Sequence, residues 1–168
     1  MFKTIDPNHL TIKPFDAIGS DWMLITAADG EKTNAMTASW GGLGILWGEP
    51  VATCYIRPQR YTRELVDGGE YFSLCFFGQQ QRTAMGLCGK LSGRDTDKVA
   101  QTGLTVVGDK AAPYFAEAEL VLICRKLYRQ EMQPGCFIDP QIAKHYPDSD
   151  YHITYIAKVE ECLVRAEG

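Results

Sequence analysis

The chain has 168 residues, 45% of them apolar and 23% charged, the balance of an ordinary globular domain long enough to bury most of the surface its unfolded form exposes. A formal charge of −4 argues against a broad nucleic-acid footprint or an anionic-membrane face, both of which demand a basic excess. No apolar run approaches the roughly 20 residues that cross a bilayer, and the opening MFKTIDPNHL lacks the apolar centre of a secretion signal, so one cytoplasmic domain over residues 1–168 is expected.

In chain order, the first strands are WMLITAA (Trp22 to Ala28) and the stretch from Thr33 to Trp40, after which Gly41 and Gly42 are expected to release the chain into a loop. VATCYIR (Val51 to Arg57) is the next strand, and a short helix from Thr62 to Val66 follows it. YFSLCFF (Tyr71 to Phe77) is a strand, followed by short helices from about Gln79 to Leu87 and from Asp95 to Gln101. In ELVLICRKLYRQEM (Glu119 to Met132) the compact run LVLIC favours strand over helix. After a short helix from Pro140 to His145, the closing YHITYIAKVEECLVR (Tyr151 to Arg165) alternates polar His152, Thr154, Lys158 and Glu160 with apolar neighbours, which is strand periodicity. Six or so strands with inserted helices, in no regular strand–helix order, predict a mainly β fold: a closed or partly closed antiparallel barrel.

The six cysteines are spread along a chain able to build its own core, and reduced thiols are expected. Cys54 and Cys75 read as small buried hydrophobes; Cys88, beside Gly89 and Lys90, is the one thiol whose position suggests reactivity. His9, His145 and His152 fall at no metal-ligand spacing relative to the cysteines, so no metal site is expected.

Two glycine-rich runs are coincidental. GGLGILWGEP (Gly41 to Pro50) has the wrong spacing for a dinucleotide fingerprint and a proline where its helix should run, and GLCGKL (Gly86 to Leu91) has Leu91 where a phosphate loop needs a hydroxyl. RPQRYT (Arg57 to Thr62) is more informative. It sets two guanidinium groups at a strand-to-helix turn fixed by Pro58, with Thr62 as a candidate cap, so that free N–H groups, a helix dipole and Arg60 could converge on a phosphate; the bland alternative is two surface arginines paired with carboxylates. In NAMTASWGG (Asn34 to Gly42) alternation sends Asn34, Met36, Ala38 and Trp40 to one face and Thr37 and Ser39 to the other. The frayed strand end with its indole suits a flat, polar-edged ring such as isoalloxazine, although Trp40 could equally be a core aromatic. CGKLSGRDTDK (Cys88 to Lys98) offers a third, weaker set of contacts, with Asp95 or Ser92 able to cap the helix that follows.

Together these three motifs, with the closing YHITYIAKVEECLV, resemble the flavin reductase-like family that includes flavoredoxin, over about residues 15 to 165. The resemblance implies an FMN-binding split β-barrel, a homodimer, and a flavin held close to the subunit interface. By position it assigns Met36, Thr37, Ala38, Ser39 and Trp40 to the isoalloxazine, and Arg57, Pro58, Arg60 and Thr62 to the ribityl phosphate. The glycine-containing loop corresponds to Cys88, Gly89, Ser92 and Gly93, with Lys90, Arg94 or Lys98 as phosphate partners of undetermined order. Tyr151, His152 and Tyr155 stand near the flavin or the interface on the same analogy, His152 being more simply a structural residue. The activity implied is electron transfer through FMN, from NADH, NADPH or a redox partner protein, with no catalytic acid or base required of the chain because the cofactor carries the chemistry. The alternative is an FMN-binding electron carrier or redox sensor with no nicotinamide oxidation of its own.

Overall fold

The computed structural model describes residues 1–30 and 32–166. β1 (Phe2–Ile5), β2 (Met23–Asp29), β3 (Lys32–Ala38), β4 (Gly41–Leu46), β5 (Glu49–Ile56), β6 (Tyr71–Phe76), β9 (Leu120–Glu131) and β10 (Ile153–Arg165) form one antiparallel sheet, and β7 (Val106–Val107) and β8 (Tyr114–Phe115) form a small second one. α1 (Tyr61–Gly68) follows β5, and α2 (Arg82–Lys90) and α3 (Lys98–Thr102) follow β6.

The strands WMLITAA, YFSLCFF and LVLIC are almost wholly apolar, and their polar members Thr26 and Ser73 are themselves buried, because both faces of the sheet are covered. Met23, Ile25, Phe72, Leu74, Leu122 and Cys124 point to an inner core that also takes Met36, Cys54, Ile56 and Tyr155. The alternate residues Leu24, Cys75, Val121 and Ile123 pack outward beneath Ala84, Met85 and Cys88 of α2. Since the inner core collects side chains from β3 at one end of the sheet and β5 near the other, the sheet is rolled around it. Register shifts between Ile156 and Ala157 and between Val159 and Glu161 help β10 to bend.

The roll does not close. Hydrogen bonding runs in the order β3-β2-β6-β9-β10-β5-β4, with β1 on β10, and stops at β3 and β4. These two edges are consecutive in sequence, so Ser39 and Trp40 carry the chain across the split from one edge to the other. Gly41 and Gly42, expected to open a loop, instead begin β4. Gly41 sits opposite Cys54 on β5, and a Cβ there would come within 2.8 Å of the Thr53 carbonyl oxygen, so the close strand approach requires glycine.

Candidate functional site

Strand register assembles one end of the roll. Gly41 opposite Cys54 brings the Ser39–Trp40 crossing level with Tyr55 and Ile56, and Ile153 opposite Ile56 brings His152 level with Arg57. The result is a cleft of about 250 Å3 whose walls come from Met36 to Trp40 on one side and from Tyr55, Arg57, Arg60 and His152 on the other. The two informative motifs, 17 or more positions apart in sequence, therefore share one cavity.

Each wall is held by a specific interaction. Alternation along β3 turns Met36 and Ala38 into the core and Ala35 outward, while the Thr37 hydroxyl donates to the Met85 carbonyl and ties β3 to α2. Trp40 is 42% exposed at the mouth, not in the core, with His152 at 5.0 Å and His145 edge-on at 5.4 Å. His152 is buried, its Nδ1 paired at 2.9 Å with the Tyr146 hydroxyl. Burial, helped by the Arg57 charge, lowers its pKa to about 4, so it is neutral at pH 7.

The arginine turn is built as expected in outline and differently in detail. Arg60 N–H closes it on the Arg57 carbonyl at 3.1 Å. Arg57 pairs with Asp150 at 2.5 Å, donates to the His145 carbonyl at 2.9 Å, and lies over the Tyr146 ring; the bland reading of this arginine is thus partly right, and its guanidinium pins the segment before β10. Arg60 donates to the Gly89 carbonyl at 2.8 Å and the Cys88 carbonyl at 3.1 Å, at the negative end of the α2 dipole. Lys98, only 2% exposed, donates to the same Cys88 carbonyl at 3.0 Å and to Leu91 at 3.1 Å. Burial and the Arg60 charge bring its pKa down to about 8. Two cations thus gather at one helix end with no carboxylate among the described residues bonded to either.

Of the other assigned residues, Pro58 forms the turn, and its carbonyl accepts from Arg63 Nε at 3.0 Å. Thr62 does not cap α1. It is fully buried in the first turn and accepts from Asn34 Nδ2 at 2.7 Å, which locks the β3 motif to the arginine motif from beneath. Cys88 and Gly89 do not line the cleft and connect to it only through their carbonyls, which accept from Arg60, and the Cys88 thiol is buried and burial pushes its pKa up, which removes the expected reactivity. Lys90 is exposed at the end of α2, and the Ser92 hydroxyl accepts from Arg94 N–H at 3.2 Å. Gly93 packs against Asn34 and Tyr61 with no room for a Cβ and lines a separate polar cavity of about 630 Å3. Arg94 pairs with Glu64 and donates to the Gln59 carbonyl at 2.8 Å. The helix expected from Asp95 starts at Lys98, capped by Asp97, whose carboxylate accepts from Ala100 N–H. Tyr151 packs on Tyr146 and Phe137, and Tyr155 is core, donating to Asp67 at 2.7 Å. All six cysteines are free, and among the described residues no cluster of His, Cys, Asp and Glu could hold a metal.

Sequence reasoning missed Tyr55 as a wall. Its signal was available: it stands two positions before Arg57 on the same strand, so alternation gives both one face. Lys98 was named without rank, and only the fold distinguishes it, by burying it between α2 and the turn.

The site's chemistry fits a flavin mononucleotide in two respects. The crossing between two sheet edges exposes unpaired strand N–H groups beside an indole, suiting a ring with one polar edge. A guanidinium and an ammonium without a bonded carboxylate suit a phosphate, since each guanidinium has five donors and Arg60 spends only part of them on α2.

The model of the flavin reductase like domain matches residues 15–168. No curated protein shows significant similarity to the chain. Among solved structures, flavoredoxin from Methanosarcina acetivorans superposes with a TM-score of 0.70 at 20% identity, covering 86% of this chain and 68% of that one. An FMN-binding domain of a flavin reductases-like enzyme from Shewanella baltica gives 0.71 at 17% identity, covering 98% and 77%. An NADH:FAD oxidoreductase from Streptomyces globisporus gives 0.66 at 14% identity, covering 86% and 75%. At these identities the likeness establishes the fold, while the family match covers nearly the whole sequence. The chain belongs to the flavin reductase-like family of flavin-binding redox proteins.

Proposed function

We propose that this protein binds FMN in the cleft at the split and passes electrons through it, taking them from NADH or NADPH and delivering them to a flavin or another acceptor. The observation that carries this reading is the meeting of Met36 to Trp40 with Arg57 and Arg60 in one cavity. Bound FMN would supply the two-electron redox chemistry. The chain's own residues need only hold and tune it. Unpaired N–H groups at the β3 end would bond the polar edge of the ring and stabilise negative charge developing there. Arg60 would hold the phosphate directly, and Lys98 would add positive potential from behind the Cys88 carbonyl. His152 stays neutral and orients Trp40, so it is no proton donor at pH 7.

A cleft of about 250 Å3 is smaller than the ~300 Å3 lower range of small-molecule sites. A flavin held here would keep part of its ring outside the chain. This supports a homodimer in which a second copy covers that part. The same openness also serves a redox partner protein.

The test is anaerobic. Purified protein reconstituted with FMN is titrated with NADH and with NADPH while the oxidised flavin band is followed. Bleaching, with recovery on admitting oxygen, supports the reductase reading; stoichiometric FMN without bleaching by either nucleotide favours the electron carrier. One observation favours that second reading: among the described residues, no Lys or Arg lines the cavity next to the cleft to meet a pyrophosphate.

A further inference from the structure

The segment between β1 and β2 runs as a strap across the roll. Asp6 caps a helical turn at Pro7–His9 by accepting from Asn8 N–H at 2.9 Å, after which Leu10 and Ile12 pack against the inner core. Between this strap and the ends of β6, β9 and β10 lies a cavity of about 470 Å3 that shares no lining residue with the cofactor cleft or with the cavity next to it. Its volume is within the ~300–1,000 Å3 range of small-molecule sites.

The wall is mostly apolar and partly aromatic, with Ile5, Ile12, Trp22, Phe76, Phe77 and Leu120 among its members. Trp22 is held at a φ of 71°, a conformation that a bulky side chain keeps only where its surroundings impose it. Arg82 imposes it here. Its guanidinium donates to the Ser20 and Asp21 carbonyls at 2.9 Å and lies 3.2 Å from the centre of the indole ring. The indole is thereby clamped on one side and still contributes to the cavity wall.

The acidic groups at the polar rim are not neutralised. Asp21 and Glu119 both line the cavity, with His9 and Thr11 beside them, and among the described residues no Lys or Arg does. One Asp21 oxygen accepts from the uncharged Gln79 amide at 2.9 Å. Glu119 is exposed and has no ion-pair partner among the described residues. Of the arginines on adjoining segments, Arg82 is spent on carbonyls and Trp22, and Arg165 on the Ala118 carbonyl and the Phe2 ring.

An apolar anion brought here meets two carboxylates, and an uncharged ring leaves them without a partner. A protonated amine on a flat apolar body answers both parts of the wall, since its ring packs on Trp22, Phe76 and Phe77 and its N–H groups make charge-assisted hydrogen bonds. We infer that this cavity is a binding site for an aromatic amine in its ammonium form, with the ring against Trp22 and the charge directed to Glu119 and Asp21. The inference is independent of the FMN reading.

The test is calorimetric titration of the full chain at pH 7.5 with three ligands of one shape and different charge: 2-(aminomethyl)naphthalene, 2-naphthalenemethanol and 2-naphthoate. The amine should bind, the alcohol at least about fivefold more weakly and the carboxylate at least about tenfold more weakly. Glu119→Gln, an isosteric change at an exposed position, should weaken the amine at least about fivefold, and adding Asp21→Asn should abolish the preference for amine over alcohol. The alcohol itself should change less than about twofold in either variant. No binding of the amine, equal binding of the three ligands, or an amine preference that survives in the double variant would overturn the inference.

Discussion

At the scale of single residues, Arg60 has two duties that an experiment can separate. It holds the end of α2 through two carbonyls, and it is the group proposed to take a phosphate. Charge-assisted hydrogen bonds are worth about 1.5–3 kcal/mol each, so Arg60→Ala should weaken FMN by roughly 10- to 100-fold and riboflavin, which lacks the phosphate, by less than about threefold. Loss of the α2 contacts should also lower Tm by several degrees, roughly 1–2 kcal/mol of stability. Equal weakening of both flavins would reduce Arg60 to the structural duty alone.

His152 makes a second prediction. Its folded pKa of about 4 lies below the ordinary histidine value of 6.5, so between those values the unfolded chain binds more protons. Stability from this group is therefore complete above about pH 6.5 and is lost as pH falls toward 4, by up to about 3 kcal/mol. Urea unfolding of the parent at pH 7 and pH 4.5 should show that loss, and His152→Gln should show a smaller one. An unchanged pH dependence in the variant would mean that the histidine is accessible to protons in the folded state.

Among the elements, β4 shows best why some of the fold was hidden. GGLGIL has two leading glycines, little β-branching and an exposed second half, because it is an edge strand with one neighbour. Nothing local specifies it; its pairing with β5 does. The hairpin between them turns on Trp47 and Gly48, both with positive φ (53° and 74°), the geometry that favours Asn-Gly. Trp47→Asn should relieve the strain of a bulky side chain there and raise stability by about 0.5–1 kcal/mol, read as a Tm increase of a few degrees; a fall would show that the Trp47 contact with Tyr128 outweighs the backbone cost.

By contrast, β2, β6 and the first half of β9 were legible because two covered faces leave a nearly continuous apolar signature, β10 because one covered face leaves strict alternation through Val159, and the arginine turn because proline and paired charges mark it. What stayed hidden at the site depends on partners distant in sequence. Thr62 was expected at a helix cap, but the Asn34 amide draws it into the core. Lys98 looked like one of three equivalent surface cations until the α2 carbonyls singled it out. The Met36–Trp40 and Arg57–Arg60 pairing came from resemblance to a family, and the register of β4, β5 and β10 supplies its physical reason.

For the whole molecule, the split is the organising feature. A sheet that rolled shut would bury Ser39 and Trp40; one that stops short leaves a cleft with backbone donors on one side and cations on the other. Ligand binding to the folded state alone should then stabilise the whole roll: FMN at about 100 times its Kd should add about 2.7 kcal/mol, and riboflavin at the same concentration less. Equal thermal shifts with both flavins would show that the phosphate contributes nothing.

The most direct measurement is the crystal structure of the protein loaded with FMN. The account predicts a phosphate oxygen within about 2.7–3.2 Å of an Arg60 nitrogen and the ring lying along Ser39 and Trp40. Phosphate found instead in the polar cavity lined by Lys32 and Arg94, with the ring away from Trp40, would contradict it.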